Sequence, residues 1–184
     1  MSDRREFVLP LSVLRRSDVA CVGGKNASLG EMIGTLEEAG SNVPRGCATT
    51  AAAYWHFIES NNLQPRIAQA IAMLDKKLGN LADVGRSIRD LVLEAPLPPD
   101  LKDAIYQAYR DMSADGASSV AVRSSATAED LPEASFAGQL ETYLNVKGEQ
   151  ALFEACKKCF ASVFTDRAIA YRETHGFDHM SVAL

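Results

Sequence analysis

The stretch 119–146 constrains the fold of this 184-residue chain more than any other segment. A run of small and β-branched residues predicts a strand that ends at Arg123, and polar, acidic residues follow as far as Gly138. A second strand is predicted because residues at alternate positions then suit one face of a sheet: Leu140, Thr142, Leu144 and Val146. The connection has about a dozen residues, and connections of that length are commonly functional or disordered.

Short strands and helices alternate in the first sixty residues. Residues 7–14 predict an edge strand or extended arm, and the glycine pair 23–24 predicts a tight turn that opens a helix ending at Gly40. The apolar stripe of that helix comprises Leu29, Met32, Ile33 and Leu36. Residues 43–48 predict a turn into another short strand, after which Thr49 or Thr50 caps a helix.

Helical periodicity dominates the second half of the chain. Residues 63–113 carry three amphipathic stripes that predict a helical insert, the first of which extends through Leu74 to Leu78. A further continuous helix is predicted from Gly148 to about Thr174. The apolar run 181–184 resembles the opening of a strand, and its abrupt stop suggests a piece of a longer protein. The short strands and intervening helices predict an α/β (α+β) fold.

Charge and hydropathy exclude several classes of function. The net charge of −5 argues against nonspecific nucleic-acid binding, and no apolar run approaches the roughly 18 to 20 residues of a membrane span. The N-terminus has only a short apolar run and makes a poor signal peptide, so we expect a cytoplasmic protein with no nucleic-acid or membrane partner. The three histidines, at 56, 175 and 179, lie in no metalloprotease or serine-hydrolase motif.

The cysteines at 156 and 159 form a C-x-x-C pair, which invites a zinc or redox interpretation. A structural zinc site needs about four ligands, and no second closely spaced pair of cysteines or histidines accompanies this one. Helical spacing places both thiols on the apolar face of the predicted helix. We therefore expect buried free thiols and no metal-ligating residues.

Two segments carry residues suited to an anion. Lys25 falls in the first turn of a predicted helix, where free N–H groups and the ammonium could bind an anion together; a solvated lysine on a turn is the alternative. Arg123 ends a strand and offers a planar fork matched to phosphate oxygens. The small residues around Ser135 and Gly138 would let backbone N–H groups approach a polyphosphate. The acidic residues 129–133 could assist Mg²⁺, although solvation of a loop tip is favoured.

Three longer motifs carry a family resemblance: VGGKNASLGEM at 22–32, VPRGCATTAAAY at 43–54, and AVRSSATAEDLPEASFAGQLETYLNV at 121–146. They resemble the nucleotide-binding N-terminal region of phosphoenolpyruvate synthases, and FASVFTDRAIAYRETHGFDH at 160–179 extends the match. Pyruvate phosphate dikinases and rifampicin phosphotransferases share parts of these motifs. The resemblance covers essentially the whole chain in order.

The resemblance implies that residues 1–184 are the N-terminal lobe of an ATP-grasp nucleotide-binding domain, with 63–113 as a helical insert and 119–146 as a phosphate-loop hairpin. It implies that Lys25, Arg123, Gly138 and Thr142 contact ATP, with Lys25 and Arg123 on the phosphates. Ser135 and Gln139 are weaker candidates in the same loop. No catalytic residue is expected within the chain.

The family reaction moves phosphate from ATP to a histidine on a swivelling domain of the same full-length chain, and from there to pyruvate. Its products are phosphoenolpyruvate, AMP and orthophosphate, with Mg²⁺ required and a role in pyruvate metabolism and gluconeogenesis. The second ATP-grasp half, the phosphohistidine domain and the pyruvate-binding barrel lie outside the 184 residues. We therefore expect half a nucleotide site, which does not complete catalysis alone.

Two residues depart from the family pattern. Leu140 stands where glutamine is common, and Cys47 stands where phenylalanine is common. An apolar residue at 140 cannot donate the hydrogen bonds of an amide. Two alternative functions remain open from the sequence: the same lobe of a rifampicin phosphotransferase, and a non-catalytic nucleotide-binding or interaction module.

Overall fold

The computed structural model describes residues 6–41, 43–75, 77–112, 118–127, 130–131, 134–135 and 141–184. Within these residues the strands are β1 (Val8–Pro10), β2 (Cys47–Thr49), β3 (Val120–Arg123), β4 (Asp130–Leu131), β5 (Ala134–Ser135) and β6 (Thr142–Val146). The helices are α1 (Val19–Val22), α2 (Gly24–Glu38), α3 (Ala51–Ser60), α4 (Leu63–Ala72), α5 (Leu81–Glu94), α6 (Pro99–Met112), α7 (Glu149–Ser162) and α8 (Asp166–His175). Short strands among helices confirm the predicted α/β class. No helix in the described ranges is long and apolar enough to cross a membrane.

The strands form antiparallel pairs, β1 with β2, β3 with β6, and β4 with β5. The predicted hairpin of β3 and β6 is confirmed, but the predicted alternation along its second strand is wrong. Asn145 has a φ of 57°, and the register between β3 and β6 shifts between Val120 and Val122. This irregularity turns Tyr143 inward and leaves Leu144 69% exposed, because an extra residue in one strand reverses which side chains face the core.

Most helices share one core. Phe160 on α7 packs against Tyr54 and Phe57 of α3, with ring centroids 5.5 and 5.3 Å away. Helix α5 packs against α4, α7 and α8, and the hairpin β3–β6 packs on α7. A second, smaller cluster lies beneath α1 and α2 and comprises Leu14, Val22, Ala27 and Ala48. This smaller cluster holds the glycine turn between α1 and α2 against the strand β2.

Helix α2 follows the predicted glycine turn, but part of its predicted apolar stripe faces outward. Met32 and Leu36 are 53% and 38% exposed, whereas Ala27 and Ile33 are buried. A Cβ at Gly30 would lie 2.6 Å from both the Cβ and the carbonyl oxygen of Leu14. Helix α2 therefore packs against Leu14 through small residues. The spacing of the large apolar residues did not predict this contact.

Two predicted helix boundaries are wrong. The helix predicted from Gly148 to Thr174 is two helices, because Thr165 leaves the helical conformation and its side chain accepts a hydrogen bond from the N–H of Ala168. Helix α4 ends at Ala72, so Leu74 and Leu78 lie beyond it; Leu78 has a φ of 56°, which a helix does not accommodate.

The apolar run 181–184 is not a strand, although it is buried and paired. Val182, Ala183 and Leu184 are at most 4% exposed. The N–H of Thr127 donates to the carbonyl oxygen of Ala183 at 3.0 Å, and the N–H of Ala183 donates to Oγ1 of Thr127 at 3.2 Å. This run therefore supports the segment that follows β3.

Thr50, one of the two predicted caps, is the cap of α3. Its buried hydroxyl accepts from the N–H of Ala53 at 3.3 Å and donates to the carbonyl oxygen of Glu6 at 2.9 Å. We expect Thr50→Val to lower the free energy of unfolding by about 1 to 2 kcal/mol, because a cap is lost and a carbonyl loses its donor. Thr50→Ser keeps the hydroxyl and should cost less in urea denaturation; equal losses in both variants would contradict this role.

Candidate functional site

The turn before α2 requires glycine. Gly23 ends α1 with φ 80° and ψ 159°, a conformation that is essentially restricted to glycine. Gly24 then opens α2, and Lys25 lies in the first turn of that helix, as the sequence predicts. The lysine is half-buried. An α-helix leaves its first N–H groups without partners inside the helix, and its N-terminus carries partial positive charge. This turn therefore places the ammonium of Lys25 on the partly positive N-terminus of α2.

The segment that follows Arg123 packs directly against this turn. The N–H of Asn26 donates to Oγ of Ser125 at 3.3 Å, across 99 residues of sequence. A Cβ at Gly23 would lie 2.4 Å from Oγ and 2.5 Å from the carbonyl oxygen of Ser125, so only a glycine permits this approach. Ser124 and Ser125 are each 4% exposed. The contact brings the helix end that carries Lys25 next to the segment that begins at Arg123.

The hairpin places Arg123 and Thr142 side by side. The two residues are paired across β3 and β6, and both are exposed. Beyond them, the N–H and the hydroxyl of Ser124 both donate to the carbonyl oxygen of Glu141 at 3.2 Å. This pairing closes the hairpin just past Arg123. The guanidinium of Arg123 and the hydroxyl of Thr142 therefore lie at the same end of the paired strands β3 and β6.

The remaining predicted ATP-binding residues lie in the connection between the hairpin strands. Ser135 lies in β5, where its backbone pairs with Asp130 of β4. Gly138 and Gln139 lie outside the described residues, as does Leu140. The structure therefore brings together the elements that carry Lys25, Arg123 and Thr142, and it leaves the glycine-containing part of the loop as a prediction.

A cavity of about 430 Å³ opens beside Arg123, a size within the range of small-ligand sites. Apolar side chains of β3, α6 and α7 form part of its wall, and Asn26, Arg45 and Arg123 supply polar groups. Sequence reasoning did not single out Arg45. Arg45 could have been found from its position: it lies in the turn 43–46 before β2, within the family motif at 43–54. The two arginines give this cavity a positive rim in a protein of net charge −5.

The same cavity is lined by three thiols, those of Cys47, Cys156 and Cys159. Cys156 and Cys159 are 8% and 5% exposed, which confirms the burial predicted from the helical spacing. Burial raises the pKa of Cys47 to about 11 and that of Cys156 to about 12, and it also raises the pKa of Cys159. Within the described ranges, no three potential ligands among His, Cys, Asp and Glu are arranged to hold a metal ion.

These raised pKa values predict a strong contrast in thiol reactivity. At pH 8, a thiol with a pKa of about 11 is ionised in about one molecule in a thousand, and only the thiolate attacks an alkylating reagent. We expect N-ethylmaleimide to modify the exposed Cys21 first and to reach Cys156 and Cys159 only after unfolding. Peptide mass spectrometry measures the order. Rapid modification of Cys156 in the native protein would contradict the buried placement.

His56 is a packed histidine near the surface. Its Nε2 lies 3.0 Å from Oδ1 of Asp100, and its ring stacks on Phe7 with centroids 4.8 Å apart. The hydrogen bond from His56 is the main reason that the pKa of Asp100 lies below its usual value. These contacts connect α3 to α6 and to Phe7, the residue before β1, and none of the three residues lines the cavity.

Comparison with known proteins identifies a matching family and several curated relatives. The family model "Pyruvate phosphate dikinase, AMP/ATP-binding domain" matches residues 19–184. The chain is 53% identical over 176 residues to a phosphoenolpyruvate synthase from Synechocystis sp., covering 91% of this chain and 21% of that protein. The corresponding enzymes of Neisseria meningitidis and Escherichia coli are 52% and 50% identical, each over 97% of this chain and 23% of the relative. The chain thus spans less than a quarter of the length of these relatives.

Proposed function

Because the chain belongs to the pyruvate phosphate dikinase AMP/ATP-binding domain family, we propose that it is the N-terminal nucleotide-binding part of a phosphoenolpyruvate synthase. The identities of 50 to 53% to enzymes of that name support this choice over a rifampicin phosphotransferase. In this proposal the 184 residues form the first half of an ATP-grasp site. The pyruvate site and the phosphohistidine domain belong to other parts of the complete polypeptide.

One observation carries the assignment of the site: the packing of the glycine turn on Ser125, two residues after Arg123. This contact joins two segments that are each suited to phosphate. In this proposal Lys25 and the N-terminus of α2 approach the phosphates from one side, and the guanidinium of Arg123 approaches them from the other. We assign both side chains to the phosphates of ATP, since such sites work through positioning and electrostatic stabilisation.

The hairpin supplies the remaining proposed contacts. Thr142, paired with Arg123, offers a hydroxyl at the same end of the ladder. Gly138 is assigned to the backbone of a phosphate-covering loop, with Ser135 and Gln139 as further members of that loop. Glycine suits such a role because N–H groups can approach a polyphosphate most closely where no side chain intervenes.

Mg²⁺ is part of the proposed reaction but is assigned to no residue of this chain. The described residues bring no three potential ligands together. Magnesium in nucleotide sites is commonly bound by substrate phosphates with one or two carboxylates. We propose that the complete protein acts in the cytoplasm, in pyruvate metabolism and gluconeogenesis.

The test is an activity assay of the complete polypeptide that carries this chain. With ATP, Mg²⁺ and pyruvate, we expect AMP, orthophosphate and phosphoenolpyruvate to form in equal amounts, monitored by phosphorus NMR. A rifampicin phosphotransferase would form AMP only when rifampicin replaces pyruvate. A non-catalytic module would bind ATP without forming AMP. Either of these last two results would overturn the proposal.

A further inference from the structure

Arg172 on α8 is a buried cation that the proposed nucleotide site does not use. Its side chain is 1% exposed and stacks over Phe164, with the guanidinium carbon 5.6 Å from the ring centroid. Its Nη2 donates to the carbonyl oxygen of Val163 at 2.6 Å, and its Nε donates to Nδ1 of His179 at 3.0 Å. A buried guanidinium is costly without hydrogen-bond partners, so each of these contacts is needed to keep it in place.

The contacts select one tautomer of the neutral His179 ring. A guanidinium only donates, so Nδ1 of His179 must accept and the proton of a neutral ring lies on Nε2. That Nε2 lies 2.7 Å from Oε1 of Glu173, which accepts it. His179 is 7% exposed and links the buried cation to a carboxylate at the surface. An imidazolium in this place would present an N–H to the N–H of Arg172 and lose the hydrogen bond.

His179 anchors a segment that reaches the nucleotide site. It lies in the segment 177–184, whose last three residues are buried. Within that segment, the carbonyl oxygen of Ala183 accepts from the N–H of Thr127, and the N–H of Ala183 donates to the hydroxyl oxygen of Thr127. Thr127 follows Ser125, which contacts the glycine turn. Side-chain contacts of Arg172 with His179, the backbone from His179 to Ala183 and the hydrogen bonds of Ala183 with Thr127 thus link Arg172 to the segment that begins at Arg123.

We propose that Arg172 and His179 are positioning residues for the nucleotide site. These two residues fix the segment 177–184, which in turn holds Thr127. Thr127 then fixes the backbone of Ser124 and Ser125, and with it the position of the end of β3. Neither residue touches the nucleotide. This role rests on the proposed function, because the side chain that it positions is Arg123. The buried polar cluster of Arg172 and His179 therefore stabilises the proposed nucleotide site from within the core.

Two substitutions of His179 separate its two hydrogen bonds. His179→Asn places an oxygen close to the position of Nδ1 and keeps the acceptor for Arg172, while it loses contact with Glu173. His179→Leu has a similar volume and removes both bonds. We expect His179→Leu to raise the Kd for ATP by about threefold to tenfold and to accelerate amide exchange at Thr127. His179→Asn should restore most of the affinity and most of the exchange protection.

The unmodified full chain provides a second readout, which is independent of ATP affinity. Nitrogen NMR of the histidine rings, with the His179 signals assigned by their loss in His179→Asn, should show a neutral ring protonated at Nε2. A neutral ring protonated at Nδ1 would overturn the proposal. So would a folded His179→Leu protein with unchanged ATP affinity and unchanged exchange at Thr127. If the unmodified protein bound no ATP, the proposed function would fail and the positioning role with it, while the ring tautomer would still establish the anchor.

Discussion

Replacing Gly23 by alanine is expected to lower the free energy of unfolding by about 3 kcal/mol and to weaken ATP binding. Two costs combine, each of about 1 to 3 kcal/mol: the strained conformation at φ 80° and ψ 159°, and the overlap of a new Cβ with Ser125. The overlap involves the carbonyl oxygen of Ser125, at 2.5 Å, so rotation of the serine side chain cannot relieve it. The glycine turn and the segment after Arg123 must then move apart.

Gly148 provides a matched control for this substitution. It adopts φ 83° and ψ 164°, nearly the same conformation as Gly23, and a Cβ there would meet nothing within 4 Å. Gly148→Ala therefore carries the conformational cost alone. Denaturation curves of both variants isolate the contribution of the contact with Ser125, and calorimetry measures the affinity for ATP. Equal destabilisation in both, with ATP affinity retained, would show that this contact does not organise the site.

Arg123→Ala is expected to raise the Kd for ATP at least about tenfold without a comparable loss of stability. Arg123 is exposed, so little packing is lost, whereas each charge-assisted hydrogen bond to a phosphate contributes about 1.5 to 3 kcal/mol at most. A tenfold change corresponds to about 1.4 kcal/mol, so loss of a single such bond is sufficient. Calorimetric titration of ATP measures the change.

Arg86→Ala is the control for the charge that Arg123→Ala removes. Arg86 is an exposed arginine on α5 and does not line the cavity beside Arg123. Its removal changes the net charge equally and should leave the Kd for ATP within about twofold, because exposed charges beyond a Debye length are largely screened. Equal weakening by both substitutions would point to a general charge effect in place of a phosphate contact.

Local sequence signals predicted the parts of the site but not their assembly. The valines before Arg123 and the glycine pair at 23–24 are short-range signals, and the structure confirms the strand and the turn that they predict. The contact between Asn26 and Ser125 spans 99 residues and depends on how the small cluster beneath α2 packs. From the residues alone, the two segments were separate candidates for an anion. Only the family resemblance placed both on ATP.

Two of the wrong predictions share a physical cause, since in each a single residue overrides a periodic pattern. Asn145, at positive φ, shifts the hairpin register and turns Leu144 outward. Thr165 caps a new helix inside what reads as one amphipathic stripe. Arg172 and His179 both lie in the stretch 160–179 that extends the family match, but their spacing of seven residues does not by itself predict that they are buried in contact.

The most direct test of the phosphate site compares ATP with adenosine in calorimetric titrations of the complete polypeptide that carries this chain, both unmodified and with Lys25→Ala or Arg123→Ala. If the N-terminal turn of α2 and the end of β3 bind the phosphates together, each substitution weakens ATP at least about tenfold and leaves the affinity for adenosine unchanged. Unchanged ATP affinity in either variant, or an equal loss for adenosine, would contradict the phosphate site assigned to Lys25 and Arg123.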